Sequence, residues 1–233
     1  MTRMVGAALA AMVLTGCSFD AAPIGPEQHE TKSIDLDRSE MVRVEIKMGA
    51  GELNVEGGSP KLLEADFGYN VRTSKPSVRY DASSFRGQLS IEQPRGISTA
   101  GNVDYSWSLR FNNDKPLDVV TRLGAGEARL SLGSLSLRGV EVHMGVGELR
   151  LDLRGKPKRD YDVQIHGGVG QATVYLPNDV GIVASAAGGI GSISVRGLEK
   201  RGGRWINPTR EHAPVTIHLD VKGGVGEINL VAE

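Results

Sequence analysis

The sequence predicts an all-β protein: a parallel β-helix or β-solenoid with Gly-x-Gly corners, joined to a β-rich N-terminal subdomain. Three observations carry that reading. Glycines are many (31) and aromatic residues scarce (5%). Beyond residue 40 the apolar residues alternate, as in Val42-Arg43-Val44-Glu45-Ile46 and Leu149-Arg150-Leu151-Asp152-Leu153. That alternation is the period of half-buried strands and not of a helix. Lastly, one short turn recurs six times.

The turn is Gly49-Ala50-Gly51-Glu52, then Gly124-Ala125-Gly126-Glu127, Gly145-Val146-Gly147-Glu148, Gly168-Val169-Gly170-Gln171, Gly189-Ile190-Gly191-Ser192 and Gly224-Val225-Gly226-Glu227. The central four copies start 21, 23 and 21 residues apart, a period that points to stacked units. The longer intervals are expected to hold insertions, near residues 57–115 and 197–214. The alternation changes phase at every copy. Val140, Val142 and Met144 share one parity before Gly145, whereas Leu149, Leu151 and Leu153 take the other after Gly147. A strand of period two can do this only through a bulge or corner. Glycine suits such a corner because it tolerates positive φ and takes up no space.

A single coil is not expected to stand alone. It buries about six aliphatic side chains at roughly 1.5–3 kcal/mol each, while ordering about twenty residues costs roughly 1–2 kcal/mol apiece in backbone entropy. Neighbouring coils must therefore share hydrogen-bond ladders and a core. The segment Leu135-Ser136-Leu137-Arg138-Gly139 is a candidate third short side, which gives a parallel β-helix. A meander of hairpins turned at each Gly-x-Gly is the alternative, and the β-helix is the preferred topology.

Along the chain, Arg3 heads an uncharged, small and apolar run from Met4 to Thr15. That run is too short to span a bilayer, which needs about twenty residues, and it has the form of a secretory signal. Leu14-Thr15-Gly16-Cys17 resembles the lipobox of bacterial lipoproteins. The resemblance implies cleavage after residue 16, lipidation of Cys17 and a membrane anchor through its acyl chains. Cys17 is the only cysteine, so no internal disulfide is possible. Residues 17–32, with Pro23, Gly25 and Pro26, read as a flexible lipidated tether. Residues 33–118 read as the N-terminal subdomain, with strands over Leu62–Val71, Val78–Tyr80, Leu89–Ile91 and Tyr105–Phe111 and a loop over Pro94–Asn102. Residues 119–233 read as the solenoid repeats.

Composition excludes some functions. Without residues 1–16 the chain has 26 basic and 28 acidic residues, against the basic footprint that nucleic-acid binding needs. The Gly-x-Gly turns lack the third glycine and following helix of a dinucleotide loop. Gly223-Gly224-Val225-Gly226-Glu227-Ile228 superficially matches a calcium-binding nonapeptide, but Ile228 stands at the ligand position and the period is not nine. The five histidines, His29, His143, His166, His212 and His218, form no metal pair at short spacing, and no Gly-x-Ser-x-Gly elbow supports a nucleophilic triad. No catalytic residue, metal or cofactor is expected.

The residue after each turn points outward by parity. Stacked copies would set Glu127, Glu148, Gln171 and Ser192 in one column and Arg129, Arg150, Thr173 and Ser194 beside it. Such a column is either a solvated face whose charges pair across strands or a face for a glycan or protein. Glu127, Arg129, Glu148 and Arg150 are the candidate binding residues. Trp205 joins them from a basic insertion holding Lys200, Arg201, Arg204, Arg210 and His212; that loop either contacts a partner or folds over the last coil with Trp205 in the core.

Val44-Glu45-Ile46-Lys47-Met48-Gly49-Ala50-Gly51-Glu52-Leu53, the following Leu62–Val71 segment, Pro116-Leu117-Asp118 before Leu123-Gly124-Ala125-Gly126-Glu127, and the closing Gly223-Gly224-Val225-Gly226 together resemble the bacterial toast-rack domain proteins. These are related to the C-terminal domain of cell-wall-active-antibiotic response proteins and to candidate adhesins. The resemblance covers about residues 35–233. It implies a β-solenoid envelope protein and supplies no catalytic residues. The expected function is a non-enzymatic interaction, adhesin-like or envelope-stress-response module, lipid-anchored at the cell envelope, on the outer membrane if the host has one. Its expected partners are the membrane and an envelope protein or glycan. The alternative is an envelope protein that binds or cleaves glycans through the outward Glu/Arg column.

Overall fold

The computed structural model describes residues 24–71, 75–82, 85–94 and 104–233. The expected signal peptide, the lipobox-like Leu14, Thr15 and Gly16, Cys17 itself and most of the loop expected over Pro94–Asn102 lie outside the described residues. Among the described residues thirteen strands form one sheet. Six of them are long and bent, each carrying one Gly-x-Gly turn near its middle: β2 (Met41–Gly57), β7 (Leu117–Ser131), β8 (Leu137–Asp152), β9 (Tyr161–Leu176), β10 (Gly181–Arg196) and β13 (Thr216–Ala232). All neighbouring pairs among the six run parallel and in register. That excludes the hairpin meander, because hairpin-joined strands pair antiparallel.

The corner behaves as the parity predicts. In β8, Val140, Val142 and Met144 are buried before the turn, and Leu149 and Leu151 after it. The two halves of each bent strand thus form two walls around one core. Between β7 and β8 the chain closes a short third side over residues 132–136, with Leu132 and Leu135 buried and Leu132 N–H donating to Asp152 O at 2.8 Å. The third side ends before Leu137, which already belongs to β8.

Each corner position is glycine for a separate reason. Gly147 has φ +135°, outside the range of most L side chains, and a Cβ on it would lie 1.9 Å from the carbonyl oxygen of Gly126 in the next rung. Gly145 has no such φ, yet its Cβ would lie 2.3 Å from Gly124 O. The second glycine answers both to conformation and to space, and the first to space alone.

The order of the rungs is not the order of the chain. It runs β2-β7-β8-β9-β13-β10, so the last strand inserts between β9 and β10. The sequence explains which strand is interior. At matched inward positions before the corner β13 brings Leu219 and Val221 where β10 has Ala184 and Ala186, so the strand with the larger apolar side chains is interior.

Remaining elements close the ends. At the N-terminal end, β5 (Arg86–Glu92), backed by β4 (Ser77–Asp81), covers the first half of β2. β6 (Tyr105–Phe111), backed by β3 (Leu63–Val71) and β1 (Ile24–Ile34), covers its second half. Trp107 and Phe67 meet edge-to-face there, 5.3 Å between centroids. β2 pairs with β7 across the expected 118/119 division, which falls inside β7. Residues 24–32, expected as tether, are instead most of β1. That strand is held by its ladder to β3, by the Lys75–Glu30 ion pair at 3.0 Å and by Lys61 Nζ donating to Ser33 Oγ at 3.0 Å. An edge strand of polar residues carries no apolar alternation to read. At the C-terminal end, β11 (Glu199–Arg201), β12 (Arg204–Ile206) and a 3-10 turn at Pro208–Glu211 form the insertion. Among the described residues no helix is long and apolar enough to cross a membrane.

The loop between β1 and β2 is pinned by Asp37, which accepts hydrogen bonds from Ser39 N (3.0 Å), Ser39 Oγ (2.6 Å) and Tyr80 OH (2.8 Å). Lys115 Nζ donates to Ser39 O at 2.6 Å. Desolvation pushes the Asp37 carboxyl upward, but these hydrogen bonds and the Lys115 charge outweigh it and hold the carboxyl below its ordinary value.

Three outcomes follow for stability. Gly147→Val is expected to cost more than about 3 kcal/mol, from strain at positive φ plus a backbone clash, measured by denaturant unfolding. Thr121 is wholly buried between Ile46 and Val142, and its hydroxyl has no hydrogen-bond partner among the described residues. Thr121→Val is therefore expected to raise stability by about 1 kcal/mol. Because Asp37 is depressed in the folded state, its contribution is present above the ordinary aspartate range and is lost as pH falls through its folded value. Asp37→Asn should flatten the acid limb of the stability–pH curve while lowering stability at neutral pH.

Candidate binding faces and the open end

The in-register stack turns each repeat position into a straight column, one side chain per rung, about 4.8 Å apart. After the corner the outward column runs Glu52, Glu127, Glu148, Gln171, Glu227, Ser192. Glu127 and Glu148 are neighbours as expected, but Glu227 stands between Gln171 and Ser192 because β13 is inserted there. The adjoining column runs Asn54, Arg129, Arg150, Thr173, Asn229, Ser194. Arg129 pairs with Glu127. Arg150 donates to Tyr175 OH at 2.8 Å and lies over that ring, 5.1 Å from its centroid, with Arg154 at 4.8 Å. Two guanidinium groups thus cover the aromatic ring of this face.

Before the corner, sequence reading missed a second column. The residue two places ahead of the first glycine is Lys47, Arg122, His143, His166, Lys222 and Ala187 in rung order. Five of six are basic or histidine, a signal present in the repeat itself. The rings of His143 and His166, 23 residues apart in sequence, stack with centroids 5.0 Å apart. Beside this column run Glu45, Glu141 and Asp220. Lys47 reaches Glu45 at 3.0 Å and Glu92 at 2.8 Å, Lys222 reaches Asp220 at 3.1 Å, and His143 bonds Glu141. The Glu92 hydrogen bond, with that of Glu45, holds Lys47 above its ordinary value. The His143 hydrogen bond holds the Glu141 carboxyl low, against desolvation and with help from Arg122. Among the described residues no cluster of three or more metal-ligating side chains forms.

Between these faces the corner makes an apolar ridge. Val146 (53% exposed), Val169 (50%), Val225 (46%) and Ile190 (74%) follow one another along it. Beneath the ridge, the inward position just before the turn is filled by Met48, Leu123 and Met144 in the first three rungs. In the last three it is empty: Gly167, Gly223 and Gly188. None of these three needs positive φ, and a Cβ on Gly167 would meet nothing closer than 3.9 Å. The result is a cavity of about 90 Å³ lined by Met144, Ile165, Ala172, Val221, Ile228 and Ile193.

The insertion covers only part of the end where this cavity lies. β12 pairs with Val183 and Ala184 alone, and Asn207 fixes the adjoining backbone, accepting from Ile182 N at 2.8 Å and donating to Val180 O at 2.6 Å. Trp205 is half-buried against the core, with Lys200 Nζ 5.0 Å from its ring centroid. It sits opposite Ala184 on the wall before the corner, apart from the Glu/Arg columns on the other wall. The structure therefore does not bring Trp205 together with Glu127, Arg129, Glu148 and Arg150.

No curated protein matches the sequence. A candidate cell adhesion protein from Clostridium sporogenes has the same fold with TM-score 0.85 and 31% identity, the match covering 89% of this chain and 100% of that one. Candidate adhesins from Parabacteroides merdae and Bacteroides fragilis share 11% and 8% identity over 87% and 86% of this chain and 97% of each of theirs, with TM-scores of 0.26 and 0.32, too low to bear on the argument. The family model described as the N-terminal domain of toast_rack matches residues 23–175. The chain belongs to the toast-rack family.

Proposed function

We propose that this protein is a non-enzymatic, adhesin-like interaction module of the bacterial cell envelope, tethered by lipid at Cys17. The observation that carries the reading is the repetition of surface chemistry along rigid columns. A carboxylate column and a basic column flank one apolar ridge, and each repeats at the rung spacing. Such a surface offers many equal weak contacts to an extended partner, so that affinity comes from number. The name given to the Clostridium sporogenes relative supports the same class. The lipobox resemblance supports the anchor.

A glycan reading through Glu148 and Arg150 finds less support. Sugar rings are commonly held by open aromatic faces, and Arg150 and Arg154 already cover Tyr175. A partner protein that contacts the Glu127–Glu148 column is the stronger reading.

Photo-crosslinking from position 148 in intact cells tests this. Envelope proteins captured from position 148, and lost when Cys17→Ala releases the chain from the membrane, are the expected result. Glu52→Lys with Glu127→Lys, in the same column, should reduce the capture several-fold at unchanged melting temperature. Glycan cleavage that Glu148→Gln abolishes in a folded protein, or capture indifferent to Cys17→Ala, would overturn the reading.

A further inference from the structure

We infer that the uncovered end of the stack is a homotypic docking surface: a second copy of this chain adds to the free edge of β10 through its own β10, antiparallel about a two-fold axis. Three observations converge on it. First, among the described residues nothing pairs with residues 185–196 on the outer edge of β10, since β12 stops at Val183 and Ala184. The equivalent edge of β2 is covered on both halves, and its corner is closed by the Gln93 side chain, which accepts from Gly49 N at 2.7 Å and Ala50 N at 3.2 Å. Proteins usually protect free edges with charge, proline or a bulge. Residues 185–195 contain no charged residue and no proline.

Second, the edge is complementary to itself. Its inward residues are small before the corner (Ala186, Gly188) and β-branched after it (Ile193, Val195). An antiparallel copy with Gly188 opposite Ile193 aligns the two corners and also sets Ala186 opposite Val195. Directly opposed residues share a face of the sheet, so each small residue receives a large one. On the outer face the same register sets Ala187 against Ser194 and Ser185 against Arg196, with no like charges opposed. It uses residues 185–196 of both copies, which is the free segment and no more. A two-fold contact of this kind is isologous and closes on itself.

Third, the cavity opens at this edge. Gly188 and Ile193 line it, and Ile193 is 39% exposed in the single chain. In the pair, each Ile193 covers the mouth of the other copy's cavity above Gly188, the kind of position that Met48, Leu123 and Met144 fill from within their own rungs.

The pairing has a spatial consequence. β1, which follows the Cys17 tether, lies at the opposite end of the sheet, eight strand spacings from β10, or about 38 Å. Open end joined to open end sends the two tethers to far ends of the pair, the arrangement that links two separate membranes. The pairing stands without the adhesion reading; its use as a bridge rests on that reading.

Sedimentation of the Cys17→Ala chain over a concentration series is the test. The expected result is a reversible dimer. Gly188→Ile, whose Cβ would make only ordinary contacts with Ile193 and Ile228 of its own chain at 3.9 Å, should keep the melting temperature and weaken the dimer at least tenfold, about 1.4 kcal/mol. Gly188→Ile with Ile193→Gly exchanges the large and small partners and should restore it. Ile193→Asp, at an exposed position, should also dissociate the dimer. A chain that stays monomeric across the series, or a dimer indifferent to Gly188→Ile and Ile193→Asp, would overturn the pairing. Beads carrying the chain by its N-terminus separate the two ideas: a dimer in solution without bead clustering sinks the bridge and leaves the pairing, whereas clustering that Gly188→Ile prevents supports both.

Discussion

The contact on which this architecture depends is a backbone carbonyl lying where a side chain would otherwise begin. At the second corner glycine of each rung, the space for a Cβ is taken by the carbonyl oxygen of its counterpart in the next rung: Gly126 against Gly51, Gly147 against Gly126, Gly170 against Gly147, Gly226 against Gly170 and Gly191 against Gly226. Such proximity allows only one register, because a shift by one residue would put Ala50, Val146 or Ile190 into the gap. Once the register is fixed, every column follows from it, the Glu column, the basic column and the ridge alike.

A stack of this kind has two ends, and their treatment differs. At β2 both walls and the corner are covered, and Trp107, Phe67 and Phe111 fill the seam. At β10 only the start of the wall before the corner is covered, at Val183 and Ala184. The core thins in the same direction: Met48, Leu123 and Met144 give way to Gly167, Gly223 and Gly188. β1, the stack of rungs and the uncovered edge follow one another in that order across the sheet.

Most of the fold was legible in the sequence because the repeat is written in residue types that have few other uses. The phase change around Gly145 and Gly147, the strands over 62–71 and 105–111 and the stacking of copies all come from alternation and glycine placement. Two features were not legible for physical reasons. β1 is an edge strand of polar residues, so its ladder leaves no apolar pattern. The insertion of β13 between β9 and β10 is a long-range choice, and sequence order says nothing about it directly. The clue lay before the corner, in Ala184 and Ala186 against Leu219 and Val221: the strand with the larger apolar side chains goes inside. At the candidate site, the Glu127–Glu148 column followed from parity. Trp205 was placed near it only by composition, and the fold sets it on the other wall. The Lys47–Lys222 column was present in the repeat but is spread over 176 positions, and only the rung register gathers it.

The rung order tests the account most directly, because every column and the uncovered edge depend on it and chain order does not give it. In a Cys17→Ala background, Gln171→Cys can be combined with Glu227→Cys or with Ser192→Cys. Neighbouring rungs lie about 4.8 Å apart, within the span of roughly 4.4–6.8 Å that a disulfide bridges between Cα atoms, whereas two rungs exceed it. Ready oxidation of the 171/227 pair and none of the 171/192 pair is the predicted result. A disulfide between 171 and 192, with 171 and 227 remaining thiols, would show a stack in chain order and contradict the account.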